Sequence, residues 1–94
     1  MSRIVTQVEI TKFAEKQLKK IPRHIQEALR AWVATVERIG IRESRKLTGF
    51  HDEPLKGQRK GERSVRLSRA YRAIYPETVE MLVIIVIEVN KHEY

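Results

Sequence analysis

Arg63-Ser64-Val65-Arg66-Leu67-Ser68-Arg69-Ala70-Tyr71-Arg72-Ala73-Ile74-Tyr75-Pro76 is the stretch whose reading decides the fold. It holds two runs, about 63–69 and 71–76, in which apolar residues tend to alternate with polar or basic ones, with a turn near Arg69-Ala70. That pattern predicts a tight antiparallel hairpin. A slip of one residue in the pairing would move every side chain to the other face. Placing Arg66 opposite Arg72 sends Val65, Leu67, Tyr71, Ala73 and Tyr75 together to the opposite side. This register separates basic from apolar residues, and it is the one expected.

Downstream, Pro76-Glu77-Thr78 turns the chain and a strand is predicted over about 80–89. Met81 to Ile87 is apolar throughout, which predicts a central strand covered on both faces. Glu88, Asn90 and His92 then fall on one side as the chain leaves the sheet.

Upstream, Ile25, Ala28, Leu29, Trp32, Val33, Val36 and Ile39 follow helical spacing. The spacing predicts a helix that Pro22 opens at its first position and Gly40 ends. Trp32, at the centre of the stripe, is expected in the core rather than as a base-stacking platform. A shorter helix runs from a Thr11 cap to about Lys20, with Phe13, Leu18 and Ile21 as its apolar side. Residues 3–10 predict a first strand whose one face carries Ile4, Thr6, Val8 and Ile10. Ile41 to Leu47 is either a third helical turn or an irregular connection, and Thr48 to Asp52 reads as a loop.

The order β-α-α, linker, β-β-β predicts an α+β fold. A helical pair packs on one face of a largely antiparallel sheet, and the other face carries the arginines. All of this fits one domain, residues 1–94. The formal charge of +7 points to a polyanionic partner. Arg59, Lys60, Arg63, Arg66, Arg69 and Arg72 are broken only by Glu62, so the positive field is local. With no cysteine there are no disulfides and no thiolate metal site. The longest apolar run, Met81 to Ile87, is far below the ~20 residues of a membrane span. A cytoplasmic protein without membrane association, metal or cofactor is expected.

Metal-free RNA cleavage needs a base for the 2′-hydroxyl proton, cations for the charge developing on phosphate oxygens, and an acid for the departing 5′-oxygen. Glu53, Arg72 and His92 supply these chemical types. Arg66 and Arg72 suit a phosphate better than lysines would, because the guanidinium is a planar fork. Lys56, Arg63 and Arg66 are the candidate RNA-binding cations. Arg72 could equally serve a structural ion pair with Glu80 or Glu88. His24 and His51 read as surface residues.

The run Glu53-Pro54-Leu55-Lys56, the strand Ser64-Val65-Arg66, the strand Tyr71-Arg72-Ala73-Ile74-Tyr75 and the ending His92-Glu93-Tyr94 resemble the RelE/ParE superfamily of type II toxin–antitoxin toxins, most closely its YoeB- and HigB-like ribonuclease branches. The resemblance covers nearly the whole chain and implies a RelE-like fold. It implies an endoribonuclease that cuts mRNA in the ribosomal A site, inhibits translation and is held inactive by a cognate antitoxin. It places the general base on Glu53, phosphate stabilisation on Arg72 and Arg66, and the general acid on His92. YoeB-like chains end in adjacent His-Tyr, whereas Glu93 separates the two here, so His92 and Tyr94 both stand as the acid. ParE-like members share the scaffold and poison DNA gyrase without RNase chemistry, which is the alternative.

Overall fold

Thr11 divides the first strand from the first helix in the computed structural model, which describes residues 6–78 and 83–91. Strand β1 is Gln7–Ile10 and helix α1 is Lys12–Leu18. The Thr11 hydroxyl accepts from the Ala14 amide at 3.1 Å, as an N-cap should. It also donates to the Ile87 carbonyl at 3.4 Å, while the Thr11 amide donates to the Val86 carbonyl at 3.0 Å. One residue thus caps a helix and fastens it to a distant strand. Ala14 is buried on α1, but Phe13, expected on the core side, is 60% exposed.

Helix α2 is Arg23–Ile39. Pro22 precedes its first residue rather than occupying it, and has no side chain to cap with. The Gln26 amide nitrogen instead donates to the Leu18 and Ile21 carbonyls, at 2.9 and 3.2 Å. The Leu18 carbonyl also accepts from the Ile21 amide at 3.3 Å, so Gln26 reinforces the turn that joins the two helices. Ile25, Leu29, Trp32 and Val36 are buried, while Ile39 lies at the exposed margin of the stripe. Gly40 ends the helix at φ 86°, a region closed to most side chains. The segment after it is helical: α3 is Ile41–Arg45, followed by a 3₁₀ turn at Thr48–Phe50.

Strand β2 is Glu53–Pro54, and a 3₁₀ turn follows at Gly57–Arg59. Strands β3 (Glu62–Arg66), β4 (Tyr71–Pro76), β5 (Val83–Val86) and β6 (Glu88–Lys91) complete the chain. Strands β2, β3, β4 and β6 form an antiparallel sheet in that spatial order, and β1 pairs with β5 in parallel. Arg66 pairs with Arg72, so the hairpin has the expected register. The Ser68 hydroxyl organises its turn by accepting from the Ala70 and Tyr71 amides.

The predicted strand over 80–89 is divided at Ile87, whose amide donates to Ile74 at 2.9 Å. Its upstream half pairs with β1 and its downstream half with β4. Nor is the apolar run covered on both faces. Ile84 and Val86 are buried, but Val83 and Ile85 are 37% and 38% exposed beside the exposed Gln7 and Glu9. The core gathers Leu29, Trp32 and Val36 of α2 against Val65, Ala73, Tyr75, Ile84, Val86 and Val89. Full burial of each large apolar side chain contributes about 1.5–3 kcal/mol. Among the described residues no helix is long and apolar enough to cross a membrane.

Candidate functional site

Pairing places the polar residues. Glu53 stands opposite Ser64, Arg66 opposite Arg72, and Arg72 opposite Asn90. Directly opposed residues share a face, so Glu53, Ser64, Arg66, Arg72 and Asn90 lie on one side of the four-stranded sheet. Here a cleft of about 210 Å³ opens, with His51, Glu53, Ser64, Arg66, Arg69, Tyr71 and Arg72 in its wall. It is small for a drug-sized molecule, whose pockets begin at ~300 Å³. Three arginines against one glutamate suit an anion.

Arg72 is oriented by Asn90, whose Oδ1 accepts from its Nε at 3.3 Å. Asn90 is itself hydrogen-bonded to Glu88. Glu88 also accepts from Arg59 at 3.0 Å and is not the partner of Arg72. Bonds to Glu88 and Glu62 hold the Arg59 pKa above its usual value. Arg66 is exposed and has no ion-pair partner among the described residues.

Glu53 reaches the cleft because its neighbour is pinned on the other side. The Asp52 side chain is 0% exposed. Its Oδ1 accepts from Arg63 Nε at 2.7 Å and its Oδ2 from the Tyr75 hydroxyl at 2.7 Å. Arg45 Nε donates to the same Tyr75 oxygen at 3.1 Å, and the Tyr75 ring lies 5.5 Å from Trp32. A continuous path therefore links α2 and α3, through β4, to the segment that carries Glu53. Burial pushes the Tyr75 phenol pKa well up, and the bond to Asp52 pushes it further.

Arg63, expected to bind RNA, pairs with Tyr75 on the opposite face and does not reach the cleft. Its side chain is 14% exposed and held by Asp52 and by Glu77 at 2.9 Å. Burial lowers its pKa, but the bonds to Asp52 and Glu77 outweigh burial and leave it raised. Lys56 is exposed beyond β2 and is not in the cleft wall. The expected acids His92 and Tyr94 lie outside the described residues, as does Glu80; the last described residue, Lys91, stands opposite Tyr71.

His51, read from sequence as a surface residue, belongs to the cleft. Its Nε2 is 3.4 Å from Glu53 Oε2. Because His51 is left-handed rather than extended, strand alternation could not have found it, and its sequence signal was nearness to Glu53. Ser64, Ser68, Arg69 and Tyr71 also line the cleft, though none of them was a candidate site residue.

A family model described as the ParE toxin of type II toxin–antitoxin systems matches residues 8–93. No functionally curated protein matches the chain. Among solved structures, the YoeB/ParE toxin from Agrobacterium tumefaciens superposes with a TM-score of 0.70 at 18% identity, covering 94% of this chain and 100% of that one. The archaeal RelE–RelB complex from Pyrococcus horikoshii gives 0.70 at 22% identity, covering 93% and 94%. The RelBE toxin–antitoxin complex of E. coli gives 0.62 at 26% identity, covering 95% and 99%. The RelE-like α+β architecture is common to all of them, and the match over residues 8–93 settles the family: the chain belongs to the ParE toxin family of type II toxin–antitoxin systems, within the RelE/ParE superfamily.

Proposed function

We propose that this toxin is a ribosome-dependent endoribonuclease that cleaves mRNA by attack of a ribose 2′-hydroxyl, without a metal ion. The observation that carries the reading is the register that brings Glu53, Arg66 and Arg72 to one cleft. Glu53 supplies the anionic end, where the proton is taken up. Arg72, steadied by Asn90, and Arg66, which has no ion-pair partner among the described residues, supply charge to the phosphate oxygens as the transition state forms. His92 or Tyr94 protonates the departing 5′-oxygen, and Lys56 extends the basic surface along the RNA. The products are a 2′,3′-cyclic phosphate and a 5′-hydroxyl.

Two partners go with this reading: mRNA in the ribosomal A site and a cognate antitoxin. The antitoxin expectation is supported by similar structures that are themselves toxin–antitoxin complexes, RelE–RelB and RelBE. Incubation with translating ribosomes and mapping of the new 5′ ends tests the reading. Cuts within codons at the A site are expected.

The family match favours a second reading, a DNA gyrase inhibitor with no RNase chemistry. Intact message together with inhibited supercoiling would replace the first reading by the second.

A further inference from the structure

We propose that His51, not Glu53, takes the proton from the 2′-hydroxyl, and that Glu53 is the carboxylate that orients and charge-balances its imidazole. This rests on the ribonuclease reading and assigns its proton acceptor. The starting point is the backbone. His51 sits at φ 45°, ψ 49° and is the one non-glycine residue with positive φ among the described residues. A side chain held in the left-handed region is strained, and such strain gathers at functional sites. Here the cause is visible. The His51 amide closes the 3₁₀ turn on Thr48 at 3.1 Å, and the next residue, Asp52, is locked by two 2.7 Å hydrogen bonds. With Asp52 facing inward, His51 and Glu53 both face the cleft.

The contact between them is electrostatic. Nε2 is the ring nitrogen nearer Glu53, 3.4 Å from Oε2, and the carboxylate's charge favours the ring hydrogen on that side. Nδ1 is then left with a lone pair and has no partner among the described residues. An imidazole is a stronger base than a carboxylate, and general-base efficiency rises toward a pKa near the working pH. The charge that appears on the ring lies beside an anion. Arg66, Arg69 and Arg72 complete the wall and keep the phosphate on the same side.

The step balances. His51 Nδ1 takes the 2′-hydroxyl proton while the oxygen's electron pair forms the O2′–P bond. The P–O5′ bond breaks, and O5′ takes a proton from a protein acid or from water.

The test compares single-turnover cleavage of ribosome-bound mRNA by the wild type, His51→Gly, His51→Gln and Glu53→Gln. Glycine accepts the left-handed backbone, so His51→Gly removes the ring without straining the loop. A loss of about 100-fold in rate for His51→Gly is expected, with ribosome affinity unchanged. Added imidazole should restore part of that rate, His51→Gln should stay slow, and Glu53→Gln should lose less. Wild-type rates in His51→Gly, or full activity in His51→Gln, would overturn the assignment while leaving the ribonuclease reading intact. If instead Glu53→Gln is the slowest variant and imidazole restores nothing, Glu53 is the base and the assignment fails. A wild-type protein that cuts no message removes the ribonuclease reading itself.

Discussion

The Tyr75 hydroxyl donates a 2.7 Å hydrogen bond to a fully buried carboxylate, Asp52, and that bond ties the core to the cleft. Tyr75 rests against Trp32 on one side, and Asp52 is followed at once by Glu53. Disturbing this pair should therefore change both stability and site geometry.

Asp52→Ala leaves Arg63 buried without its main anion and Tyr75 without its acceptor. Breaking a buried ion pair from one side typically costs about 3–5 kcal/mol. A loss near the lower end is expected here, because Glu77 still holds Arg63 from the exposed side. Urea unfolding of Asp52→Ala and Asp52→Asn measures it, and the asparagine variant should lose less.

Tyr75 also sets an alkaline limit on stability. Its folded pKa lies above the ordinary 10.0, so above about pH 10 the unfolded chain loses this proton before the folded chain does. Its contribution is fully present below pH 10 and declines as pH rises toward the folded value. Unfolding free energies measured from pH 8 to 11.5 should fall more steeply in the wild type than in Tyr75→Phe. The variant should start about 1–2 kcal/mol lower, having lost a buried hydrogen bond.

Arg63→Ala and Arg66→Ala should separate cleanly, although both arginines stand on one strand. Arg66 is exposed in the cleft wall, so its removal should weaken RNA binding and lower the salt slope by about one charge, with stability unchanged. Arg63→Ala should destabilise by about 3 kcal/mol instead, because Asp52 is left buried and unpaired. Equal loss of stability in the two variants would contradict this division.

Arg72→Ala should abolish growth inhibition while leaving circular dichroism and melting close to wild type. Its one described side-chain partner is Asn90, at a half-buried surface. Removing a group that stabilises developing charge typically costs 10²–10³-fold in rate. Arg72→Lys should recover little, since an ammonium cannot match the guanidinium fork.

Thr11→Ala removes a cap and a link to the strand break at once. A loss of about 1–2 kcal/mol is expected, with Thr11→Ser recovering most of it, which thermal melting would show.

Periodicity made the helices of residues 12–39 legible, and alternation made the hairpin register legible, because each reflects a face that must be buried. The Arg66–Arg72 pairing is local, and its reason lies within fourteen residues of sequence. Phe13 and the run from Met81 to Ile87 misled for one reason: apolar character shows that a side chain can be buried, not that a neighbour arrives to cover it. Whether Ile87 would interrupt the last strand depended on β1 and β4 competing for its two halves.

By itself, then, the sequence determined the elements, the basic sheet and the residue types available for chemistry, because these follow from patterns a few residues long. The pleat alone puts Arg63 and Arg66, three residues apart, on opposite faces. Only the tertiary structure supplied Asp52 to hold Arg63 inside and left Arg66 in the cleft wall. It also decided the standing of His51, since the pinning of Asp52 by Tyr75 and Arg63, contacts 23 and 11 residues away, turns that histidine toward Glu53.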